Sequence, residues 1–155
     1  MSEETLLIVW VCKFLIIGLA SFCYRLGGAA NISKGFRRFG TPCFYLIGCV
    51  GIALWKGVFN PFMLLSLPLW IGSLCLGYSN NEGRGFGKRL LAGCAFAISA
   101  LPFVICFNGW ILFIYHSIFC VSAMVGFGLL NPFKNAVDEE SFIAVMSFLM
   151  PIAMI

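Results

Sequence analysis

Tyr24–Thr41, reading YRLGGAANISKGFRRFGT, sets Arg25, Lys34, Arg37 and Arg38 between two long apolar runs. Four of the ten basic residues thus fall in one short connection, flanked by segments as long as a bilayer is thick. Connections rich in Lys and Arg stay on the cytoplasmic side, so this stretch fixes the direction in which its neighbours cross a membrane.

Working outward, the 155 residues are 61% hydrophobic and only 10% charged, with a mean hydropathy of +1.01. A soluble domain needs roughly 25% charged residues. The expectation is a single integral-membrane domain over residues 1–155, all-α, a polytopic transmembrane helical bundle. Six apolar runs predict spans over 5–23, 42–59, 61–78, 89–107, 110–127 and 140–155, each near the 20 or so residues that a crossing requires. None shows the apolar-polar alternation of a β-barrel strand.

Local signals mark several ends. Asn60-Pro61 supplies an N-cap residue and a proline at the first helical position of the third span. Asn108-Gly109 makes a tight turn before the fifth. Lys56, near the end of the second, is placed to snorkel to the far interface. Glu3 and Glu4 precede the first run where a signal peptide would carry basic residues, which predicts an uncleaved span.

Counting Lys and Arg along the connections gives Arg25, Lys34, Arg37 and Arg38, then Lys56, then Arg84, Lys88 and Arg89, then none, then Lys134. This alternation predicts cytoplasmic first, third and fifth connections, both termini outside, and three helical hairpins. Lys34–Arg38 echoes Arg84–Arg89, and Asn60–Phe62 echoes Asn131–Phe133; such residues are common at interfaces, and no function is drawn from the echo.

In lipid, small residues mark the faces where helices meet. Ala92, Gly93, Ala95, Ala97, Ser99 and Ala100 therefore predict that the fourth span is central. Pro68 and Pro102 predict kinks. The eight cysteines are scattered along the spans without a CxxC pair, which fits small apolar fillers better than a metal site or disulfide framework. No cofactor is expected.

Three intramembrane polar residues are costly enough to be candidate functional groups: Lys13, His116 and Glu140. Lys13 either snorkels outward or occupies an interior hydrogen-bonded site. His116 shares a helical face with Cys120 and Ala123, and is either a satisfied core histidine or a titrating group on a pathway. Glu140 heads the last span with Asp138 and Glu139, favourable at a helix N-terminus. Because Phe142–Ile155 would rise only about 21 Å, these acids are expected to approach the cytoplasmic interface and pair with Arg25, Arg37 or Arg38. With Arg84, Lys88 and Arg89 they form an expected charged cap.

Signatures of catalysis are missing: there is no GxxxxGK[ST], HExxH or GxSxG. The basic connections suit anionic lipid head groups, at about 1 kcal/mol per residue. Membrane lipids are thus the expected partners, a homo-oligomer is compatible with the layout, and nucleic acid is not expected.

Tyr24–Gly28, the basic Lys34–Gly40 leading into Thr41-Pro42, and the acid-headed last segment together resemble small polytopic membrane proteins of bacteriophages and bacteria. That resemblance implies an inner-membrane location and no particular activity. Two function classes follow. The first is non-enzymatic: a small channel, transporter or phage-type membrane effector with Lys13, His116 and Glu140 lining a polar interior. The alternative is a membrane-embedded enzyme acting on a phospholipid or lipid-linked substrate, with Arg37, Arg38, Lys88 and Arg89 holding phosphate and Glu140 as acid or base.

Overall fold

A computed structural model describes residues 2–29, 35–78, 85–130 and 147–155, with side chains for all of these except 25–29, 77–78 and 127–130. Among the described residues every regular element is helical. The chain forms α1 (Glu3–Ala29), a π-helical turn (Phe36–Gly40), α2 (Thr41–Trp55), a 3₁₀ turn (Pro61–Leu65), α3 (Ser66–Tyr78), α4 (Phe86–Ser99), α5 (Leu101–Phe107) and α6 (Trp110–Leu130). Residues 147–154 form a closing helical stretch.

Helix ends follow from local chemistry. Ser2 caps α1, its hydroxyl accepting from the Thr5 amide at 3.3 Å, and Glu3 and Glu4 occupy the first turn where the macrodipole favours them. The Asn60 side chain accepts from the Phe62 amide at 2.9 Å, as the Asn60-Pro61 pair predicts. At the end of α2, Gly57 takes φ +69, while Val58 N–H donates to Ala53 and Gly57 N–H to Leu54. These two bonds make a Schellman motif. It ends the second helix four residues before the predicted limit of 59, and Lys56 becomes its C-cap.

Prolines act differently at their two sites. Pro102 splits the fourth predicted span: α4 stops at Ser99, and α5 restarts at Leu101 with the proline in its first turn. Ser99 Oγ donates to the Phe96 carbonyl at 2.6 Å beside this break. Pro68 is the third residue of α3, just past the change from 3₁₀ to α geometry.

Three helical segments are long and apolar enough to cross a membrane: Glu3–Tyr24, Phe36–Trp55 and Phe86–Phe107. Pro61–Leu76 and Trp110–Gly126 are shorter apolar helices, matching the third and fifth predicted spans. The last predicted span is described only from residue 147.

The helices pack antiparallel. Arg37 Nε donates to the Tyr24 carbonyl at 3.2 Å, and a Cβ on Gly48 would lie 2.8 Å from Ile16, so α1 and α2 touch along their lengths. Ser73 Oγ lies 2.8 Å from the Ala95 carbonyl, joining α3 to α4. A Cβ on Gly93 would lie 2.9 Å from Val121 Cα, so α4 and α6 meet backbone to backbone. Small residues do mark this contact, and Phe86–Phe107 is the most buried of the three long segments, at 50%. Met154 sits on Gly109 at the head of α6, which brings the closing stretch back along the bundle.

At the centre, Tyr45, Trp70, Phe103 and Phe148 interlock, with Tyr45 and Phe148 stacked at 4.3 Å and Tyr45 and Trp70 edge-on at 4.9 Å. Phe148 and Ile152 are fully buried, so the closing stretch shares the interior with α2 and α3. The outside is equally apolar. Leu7, Phe14, Leu19 and Phe22 of α1, Phe44 and Ile47 of α2, and Ile111, Tyr115 and Ile118 of α6 are all exposed. A surface of this kind greatly exceeds the isolated apolar patches of soluble monomers.

Candidate functional site

The inward stripe of α1 is Val9, Lys13, Ile17, Ala20 and Tyr24, at spacings of three and four residues. Lys13 is the single charged member, and it is only 4% exposed. Ten residues separate it from Glu3, about 15 Å of helix, which is half the thickness of a hydrocarbon layer of about 30 Å. Its side chain leans towards the helix N-terminus, as helical side chains do. Nζ comes to rest 4.7 Å from the centroid of the Trp10 ring, one turn earlier. Lys13 is thus buried against an indole face, and no hydrogen bond to it is seen among the described residues.

Lys13 borders a cavity of about 80 Å3, walled by Trp10, Phe14 and Ile17 of α1 and by Leu149, Ile152 and Ala153 of the closing stretch. On the other side, Cys49 and Lys56 of α2 lie within electrostatic range. Tyr45, one turn from Cys49, donates its hydroxyl to the Phe148 carbonyl. Lys56 Nζ donates to the Ile155 carbonyl. A polar seam thus runs between α1, α2 and the closing stretch through an otherwise apolar interior.

His116 lies elsewhere. It is 1% exposed in the contact between α6 and α4, with the Phe96 backbone nearby and Cys120 Sγ 3.6 Å from Nε2. It does not line the Lys13 cavity.

Basic residues gather at one end of the bundle. Arg37, besides its bond to Tyr24, lies 4.7 Å above the Tyr24 ring. Arg89 Nη1 reaches the Met124 carbonyl at 3.3 Å, Arg38 is half-buried and Lys88 exposed. Exposed Phe36, Phe39 and Phe86 surround them. Trp10, Trp55 and Trp110 are exposed towards the opposite end, where Lys56 is half-buried. Arg84, Asp138, Glu139, Glu140 and the side chain of Arg25 lie outside the described residues, as does the expected pairing of these acids with arginine.

Sequence reasoning passed over Tyr45, Cys49 and the Phe148 carbonyl. Tyr45 and Cys49 are one turn apart in the second run, and that was the available cue. Comparison of the chain with protein-family models, curated proteins and solved structures returned no match.

Proposed function

We propose that the protein is a non-enzymatic integral protein of the inner membrane, a small channel or transporter whose polar interior is the seam around Lys13. The observation that carries this is a lysine buried at mid-bundle beside a cavity, where packing alone would be met by methionine or leucine. A charge so placed is expensive in hydrocarbon and serves function in most instances. Among the described residues the only side-chain carboxylates, Glu3 and Glu4, are at the head of α1, remote from it.

The two ends of the bundle support the orientation. Arg37, Arg38, Lys88 and Arg89 with exposed phenylalanines suit a cytoplasmic interface, where anionic head groups are natural partners. Three exposed tryptophans towards the other end suit the opposite interface. Both termini are then outside.

Ion flux through liposomes containing the purified chain tests this. Flux is expected for the wild type and should be largely lost in Lys13→Met. Turnover of lipid by the purified chain without any flux would instead make it a membrane enzyme acting on a phospholipid or lipid-linked substrate.

A further inference from the structure

We propose that His116, Cys120 and Met124 form a binding site for a soft monovalent metal ion, copper(I) or its analogue silver(I), inside the contact between α4 and α6. The site is separate from the Lys13 seam and goes beyond the transport reading. His116 is 1%, Cys120 3% and Met124 0% exposed. They occupy positions i, i+4 and i+8 of α6, a single stripe of the helix. A spacing of four residues is also the one by which a helix presents two ligands to the same ion. The stripe faces α4, since a Cβ on Gly93 would lie 3.2 Å from the Cys120 carbonyl oxygen and 3.4 Å from Met124 Cβ.

Cys120 differs from a cysteine that only fills space, because its Sγ is 3.7 Å from Nδ1 and 3.6 Å from Nε2 of the histidine. Turning the ring presents either nitrogen to the metal. Bonds of about 2.3 Å to sulfur and about 2.0 Å to nitrogen bridge the 3.6 Å separation with an angle of about 115° at the metal. The two helical turns need not move, and a third donor fits on the open side. Met124, one turn beyond Cys120, supplies it through a long and flexible thioether.

The donor set selects the ion. Thiolate and thioether favour copper(I) over the hard cations that bind carboxylate and carbonyl oxygen. Among the described residues no third His, Cys, Asp or Glu joins the pair, so the fit is to a low-coordinate ion and not to four-coordinate structural zinc. Charge sets the valence. On binding, the Cys120 S–H bond breaks, a metal–sulfur bond forms, the imidazole lone pair makes the second bond, and the proton leaves to solvent. One thiolate with one monovalent ion is neutral, which suits an apolar helix contact; a divalent ion would leave the trio with a net positive charge.

His116 is the only histidine of the chain, so imidazole bound to copper identifies the site by itself. The reduced, tag-free chain in nanodiscs is equilibrated with copper(I) buffered by bathocuproine disulfonate, and the retained metal is read by X-ray absorption. One equivalent held by one imidazole nitrogen and two sulfurs is expected. His116→Leu should remove the imidazole scattering, and Cys120→Ser should release that equivalent. Met124→Leu should weaken retention about tenfold or more, whereas Cys94→Ser, at an exposed thiol of α4, should leave it unchanged. Copper retained on sulfur alone, or none retained by the wild type, overturns the proposal even if the variants fail to fold. Full retention by folded Cys120→Ser overturns it as well.

Discussion

Gly93→Ala puts a single methyl group into the tightest backbone contact of the bundle. The new Cβ would lie 2.9 Å from Val121 Cα and 3.2 Å from the Cys120 carbonyl oxygen, whereas carbon atoms settle at about 3.5–4.0 Å. Neither neighbour is a flexible side chain, so α4 and α6 must separate by about 0.6–1 Å. That movement also pulls at the Arg89 bond to Met124. Overpacking of this kind costs about 1–3 kcal/mol. Gly72→Ala is the control, since its Cβ meets nothing within 4 Å and both substitutions gain alike, by up to about 1 kcal/mol, from removing a helical glycine. The two variants should then differ by about 1–3 kcal/mol, roughly 5- to 150-fold in the unfolding equilibrium. Steric trapping or denaturation in nanodiscs reads this difference directly. Equal stability of Gly93→Ala and Gly72→Ala would refute the close approach of α4 and α6.

Tyr45→Phe removes the hydroxyl that reaches the Phe148 carbonyl but keeps the ring stack; it should lower stability by about 0.6–1.7 kcal/mol in the same assay. Arg37→Lys preserves charge while losing the planar group over Tyr24. Topology reporters should show no reorientation, and stability should fall by about 0.5–1 kcal/mol.

Hydropathy makes the helical class legible, since a backbone in lipid must satisfy its own hydrogen bonds and only long apolar runs can do so. Asn60-Pro61 and Asn108-Gly109 were legible too, because each depends on local chemistry: Asn60 caps, and Asn108 adopts φ 54. The Schellman ending of α2 had its glycine in view at Gly57, yet continued hydropathy to Phe59 concealed it. Burial was harder to see. When every face of a helix is apolar, periodicity no longer separates inside from outside, and the interlock of Tyr45, Trp70, Phe103 and Phe148 leaves no trace in hydropathy. Small residues were a better guide, as Gly93 shows. Lys13 could be seen as costly, but its direction depends on the partners of Val9, Ile17 and Ala20 across the bundle, which a single run does not contain. His116 looked similar in the sequence, and the structure separates the two by their neighbours, Cys120 for His116 and Trp10 for Lys13.

The 3₁₀ turn at Pro61–Leu65 has a consequence for reach. A 3₁₀ residue rises about 2.0 Å and an α residue about 1.5 Å. The five residues of this turn and the thirteen of α3 therefore extend about 30 Å, where uniform α geometry would give about 27 Å. Stretching its first turns thus gives this run the reach of about twenty residues in uniform α geometry.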